Sequence, residues 1–125
     1  MNVNWMGVRT QKRGKMTSDV AIWFISGGDM MQVNFSTGAM ALKFHHQKRI
    51  SIGFDDYGAR MYFLPNDEAG YKPTVSKSGS AFVRVKTDKI ERHLSGVRPS
   101  TLMGDYNLRY DDDNKAYFIS IGAKK

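Results

Sequence analysis

A chain of 125 residues without cysteine has room for one compact domain and excludes disulfide frameworks, thiol catalysis and cysteine-bearing zinc sites. Nineteen basic against 12 acidic residues leave a net charge of +7 and a pI near 9.7, which draws polyanions by long-range attraction. No apolar run approaches the roughly 18 residues of a membrane span, and the N-terminal stretch lacks an apolar signal region, so a cytoplasmic protein with no membrane partner is expected.

Residues 1–18 read as a basic N-terminal arm, carrying Arg9, Lys12, Arg13 and Lys15 among glycines and without apolar period. Ala21 to Ile25 is a continuous apolar run, Ser26-Gly27-Gly28-Asp29 supplies a turn, and Met30 to Phe35 alternates, which together make a hairpin. Ser36 or Thr37 caps a short helix in which Met40 and Phe44, four apart, share a buried face. Arg49 to Phe54 alternates strictly, Asp55-Asp56-Tyr57-Gly58 turns, and Arg60 to Leu64 returns before Pro65 stops it.

The polar segment Asn66 to Gly70 links this unit to a second with the same order. Tyr71 to Val75, a turn at Ser76-Lys77-Ser78-Gly79, and Ala81 to Lys86 form its first hairpin. Thr87 caps a helix with Ile90 and Leu94 on one face. After a longer loop, Asp105 to Tyr110, a turn at Asp111-Asp112-Asp113-Asn114 and Ala116 to Ile121 complete the set. An offset of 50 carries Val33 to Val83, Thr37 to Thr87 and Phe44 to Leu94, and beyond the loop an offset of 56 carries Ile50, Ile52 and Phe54 to Tyr106, Leu108 and Tyr110. The expected architecture is therefore mainly β with short helices (α+β), its first repeat spanning 19–65 and its second 70–121. Units this small must lean on each other to bury a core.

Two stretches, GGDMMQVNFSTGAMALKF with RISIGFDDYGARMYFLP and KSGSAFVRVKTDKIERHL with YNLRYDDDNKAYFISI, resemble in pattern the AbrB-like swapped-hairpin family of DNA-binding proteins. In that family two hairpin/helix/hairpin copies interlock into a small barrel, and in MraZ-like proteins both copies lie in one chain. The resemblance thus implies a barrel-like pseudodimer of two interlocked repeats. Asp29 and Met30 stand after the turn glycine where the family commonly has Arg, and Ser36 and Lys86 precede the helices where it commonly has Pro, so its DNA-reading residues are not carried over. Small basic proteins of phages and plasmids are similar in composition.

The polar parity of the second repeat shows Arg84 and Lys86, with Lys72 and Lys77 on the preceding arm, where the first repeat has Asn34, Ser36, Ile22 and Gly27. These four cations, with the Arg9–Lys15 arm, are the expected phosphate contacts, and Lys48, Arg49 and Arg60 extend the patch. Phe82, Tyr62 and Phe118 have the parity opposite to the core and are candidates for base stacking or a protein contact. His45, His46 and His93 make no pair spaced for a metal, Asp111 to Asn114 lacks the ligand spacing of a calcium loop, and no nucleophile stands beside a base. A non-enzymatic nucleic-acid-binding protein without cofactors is expected, with DNA ahead of RNA. The rival from another class is a protein-interaction module or inhibitor that docks an acidic protein through an edge strand or aromatic patch. Pairing into a homo-oligomer is compatible with both.

Overall fold

The computed structural model describes residues 18–44, 48–55, 60–66, 68–94 and 98–121. The first hairpin is β1 (Val20–Ile25) and β2 (Met30–Phe35), closed by a turn in which Ser26, Gly27 and Gly28 all have positive φ. A short helix α1 (Ala39–Lys43) follows, wound as a π-helix, and the Ser36 hydroxyl caps it by accepting from the Ala39 amide at 3.1 Å. Then come β3 (Arg49–Phe54), β4 (Arg60–Asn66), β5 (Thr74–Val75), β6 (Ala81–Lys86), α2 (Thr87–Glu91), β7 (Gly104–Tyr106), β8 (Arg109–Asp111) and β9 (Ala116–Ser120).

These strands form two open antiparallel sheets, ordered β5-β6-β2-β1-β7 and β3-β4-β9-β8, and no closed barrel is present among the described residues. Both sheets draw strands from both repeats. In the first, Val33 lies opposite Val83, while Met31 faces Val85 and Phe35 faces Ala81, so the offset of 50 carries each pairing onto another. In the second, Tyr62 lies opposite Phe118, with Met61 facing Ile119 and Phe63 facing Tyr117, and the offset of 56 does the same. Contacts also run between the two halves at both third-strand positions: β7 pairs with β1, and Ile50 of β3 bridges Tyr71, three residues before β5, through two backbone hydrogen bonds of 2.8 and 2.9 Å.

The alternating residues of both sheets turn inward on one core. Phe35 meets Phe44 and Phe63 edge-on at centroid distances of 5.1 and 5.3 Å, which joins the first sheet, α1 and the second sheet in one aromatic contact. Met40, Phe44, Ile90 and Leu94, the helix pairs expected from their spacing, are all buried there.

Four expectations change. The segment from Asp105 to Tyr110 is not one strand but two, β7 in the first sheet and β8 in the second, with the chain crossing between sheets at Asn107 and Leu108. Only Thr74 and Val75 of the Tyr71–Val75 stretch pair with β6, since Pro73 has no N–H to give a ladder. Pro65 does not stop β4; it lies opposite Ile50, whose N–H and C=O point away toward Tyr71, so no ladder bond is asked of the proline nitrogen. Thr87 is the first residue of α2 rather than its cap, and its hydroxyl donates to the Gly28 carbonyl of the other repeat.

Candidate nucleic-acid interface

On the outer face of the first sheet, period-two alternation and the observed register line up three cross-strand rows. Ile25, Met30 and Lys86 form one, Trp23, Gln32 and Arg84 the next, and Ala21, Asn34 and Phe82 the third. Arg84 and Lys86 thus share a face with two aromatic side chains.

A hydrogen-bond relay holds Arg84 on this face. Its Nε–H donates to Gln32 Oε1 at 3.0 Å, Gln32 Nε2 donates to Asn34 Oδ1 at 2.8 Å, and Asn34 Nδ2 donates to the Ala21 carbonyl at 3.0 Å. Gln32 and Asn34 are each only 8% exposed, so leaving either unpaired would be costly and the relay is firmly specified. The guanidinium carbon of Arg84 lies 4.9 Å from the Phe82 ring centroid, a cation–π contact. Among the described residues no carboxylate pairs with Arg84 or Lys86.

Lys77 lies in the exposed β5–β6 turn and Lys72 just before β5, so all four cations expected from the sequence lie on or beside one hairpin at the edge of the first sheet. The remaining expected cations, Arg9, Lys12, Arg13 and Lys15, lie outside the described residues, as do His45 and His46.

Tyr62 and Phe118 do not join this face. They sit opposite each other on the outer side of the second sheet with ring centroids 5.6 Å apart. Phe118, expected to be exposed, is only 6% so, and the Arg60 guanidinium lies 4.3 Å from its centroid. Tyr62 is half-buried and donates its hydroxyl to Asp111 Oδ2 at 2.8 Å, and Arg60 lies 3.8 Å from the same carboxylate. Hydrogen bonds from Asn114 and Tyr62 lower the Asp111 pKa to about 2. In this cluster the Arg60 and Asp111 charges face each other beside Phe118 on the outer side of the sheet. Arg49 is likewise engaged, donating to the Gly70 carbonyl at 3.0 Å.

Asp111 also organises the β8–β9 turn, accepting from the amides of Asp113 and Asn114 at 2.9 and 3.3 Å, which is the expected hairpin turn. His93 stacks flat on Phe54 at 5.3 Å. No group of three or more His, Cys, Asp or Glu residues capable of holding a metal occurs among the described residues, and no helix among them is long and apolar enough to cross a membrane.

Sequence reasoning missed Trp23, Gln32 and Asn34 as members of the face. The run AIWFI is apolar throughout and hides which residues turn outward, and the alignment of Gln32 with Arg84 exists only once β2 and β6 are paired. Compared with protein-family models, curated proteins and solved structures, the chain finds no match.

Proposed function

We propose that this chain is a non-enzymatic DNA-binding protein built as an interlocked pseudodimer, whose contact surface is the outer face of the first sheet together with the β5–β6 hairpin. The observation that carries this reading is Arg84, held by Gln32 and Phe82 beside Lys86, with no carboxylate partner among the described residues. A guanidinium pre-oriented in this way loses little conformational entropy on meeting a phosphate. Lys72 and Lys77 extend the charge along the same edge, and Trp23 and Phe82 add apolar surface of the kind that packs against sugar or base.

The pseudodimer is supported by pairings that the offsets of 50 and 56 carry onto one another in both sheets, by β7 pairing with β1, and by the Ile50–Tyr71 bridge. Two sheets enclosing one aromatic core stand where the swapped-hairpin resemblance implies a small barrel. Binding would be electrostatic and salt-sensitive, log affinity falling by roughly 0.9 per log salt for each phosphate neutralised on duplex. Fluorescence anisotropy of the full chain with a mixed-sequence duplex and a single strand tests this: the double variant R84A/K86A is expected to weaken binding and flatten the salt slope. Titrations that stay flat for both nucleic acids at low salt reject the reading.

A further inference from the structure

The chain treats the matching positions Leu108, at the crossover between β7 and β8, and Ile52, within β3, differently. In the second repeat, the Leu108 amide donates to Asp19 Oδ2 at 2.9 Å, and the Lys43 ammonium reaches both that carboxylate oxygen at 3.0 Å and the Leu108 carbonyl at 3.5 Å. An aspartate and a lysine thus close off the backbone groups of Leu108 where the chain passes between the two sheets. In the first repeat the position matching Leu108 is Ile52, and the positions matching Asp19 and Lys43 hold Ala69 and His93. The alanine side chain has no acceptor to offer, and His93 is stacked on Phe54.

The equivalence rests on contacts as well as on numbering. Asn107 touches Asp19 through its side-chain oxygen, and its match, Ser51, donates to the carbonyl of Ala69 at 3.2 Å. Because Ile50 directs its N–H and C=O away from β4 to Tyr71, alternation directs those of Ile52 and Phe54 to the same side. Among the described residues, nothing pairs with them.

This open edge is one wall of a groove whose other wall is α2 and the residues after it. Ile52, Phe54 and Tyr71 give it an apolar floor, and Lys89, Arg92 and His93 border it. Lys89 and Arg92 are exposed, and no carboxylate pairs with them among the described residues. An unpaired strand edge is a template for one more strand.

We propose that the groove between the β3 edge and α2 docks an extended segment of a partner protein that carries an acidic side chain, the segment adding to β3 and its carboxylate meeting the Ile52 amide beneath Lys89 and Arg92. The second repeat shows the chemistry that fills the matching place, a carboxylate on the Leu108 amide beside a cation. The groove uses none of Arg84, Lys86, Lys72 or Lys77, so this assignment and the DNA-binding one stand or fall separately.

The test is an NMR titration of the isotope-labelled full chain with the capped peptide Thr-Val-Asp-Val-Thr and its Asn counterpart. The Asp peptide is expected to shift the amides of Ile52, Phe54, Lys89 and His93, and to bind about tenfold or more tighter than the Asn peptide. The variant A69D/H93K, which installs the second repeat's closing pair in the first, should abolish those shifts while leaving DNA binding intact. The charge-reversed K89E/R92E, which alters only exposed side chains, should lose the Asp peptide and accept one with Lys in its place. Equal response to the Asp and Asn peptides, absence of shifts at millimolar peptide, or unchanged binding by K89E/R92E would overturn the proposal. So would a dimer in sedimentation that A69D/H93K disperses, since it would give the edge to a second copy.

Discussion

Thr37 and Thr87 make the same hydrogen bond in opposite directions: the Thr37 hydroxyl donates to the Ser78 carbonyl and the Thr87 hydroxyl to the Gly28 carbonyl. Each threonine ties the start of its own helical segment to the hairpin turn of the other repeat. T37A and T87A are each expected to lose about 0.5–1.5 kcal/mol of stability, the net worth of an ordinary hydrogen bond. Urea unfolding monitored by tryptophan fluorescence measures it, and a loss confined to one of the two would show that the turns are not equivalently held.

Gly70 occupies the point where the second repeat passes over β3. Its φ is +104°, and a Cβ there would lie 2.5 Å from the carbonyl carbon and oxygen of Ile50. G70A should therefore cost about 2 kcal/mol or more, since both a left-handed backbone and a backbone clash oppose it. A chemical denaturation midpoint equal to that of the parent chain would contradict this.

Phe35 is fully buried and contacts rings from α1's end and from β4 at once. Replacing it with alanine removes its ring contacts with Phe44 and Phe63 and leaves a cavity between the sheets, and F35A is expected to lose about 3–5 kcal/mol. Calorimetry should show a large drop in Tm or no cooperative transition.

Arg84→Lys separates charge from geometry in the DNA reading. Lysine keeps the positive charge but cannot reproduce the Nε–Gln32 bond or the planar contact on Phe82. R84K should weaken duplex binding by about threefold to tenfold with the salt slope unchanged, whereas R84A should lower that slope by about 0.9. Identical slopes for parent and R84A would remove Arg84 from the phosphate contacts.

Asp111 predicts an acid-side effect. Its folded-state pKa is lowered from 3.8 to about 2, so the stability it contributes is present above pH 3.8 and is lost as pH falls through about 2. In D111N the fall of Tm over that window should be shallower than in the parent chain. A parent and variant with superimposable Tm profiles between pH 5 and 2 would refute the contribution.

Much of the local structure was legible because it depends on neighbours in the chain. β2, β3 and β6 follow the alternating stretches from Met30, Arg49 and Ala81, and the buried pairs Met40/Phe44 and Ile90/Leu94 follow from helical spacing. The division of Asp105–Tyr110 between two sheets was not legible, since alternation states which side chains share a face and nothing about which strand lies alongside.

That Arg84, Lys86 and Phe82 share one face could be read from alternation along β6; the relay through Gln32 and Asn34 could not, because it exists only across paired strands. Phe118 and Tyr62 had outward parity in the chain, yet Arg60 and Asp111 cover them from elsewhere in the second sheet. The sequence by itself determined most of the elements and their turn chemistry. Which backbone edge is closed by Asp19 and Lys43 and which is left open at Ile52 was decided by tertiary structure alone, because satisfying a strand's hydrogen bonds requires partners brought from distant positions.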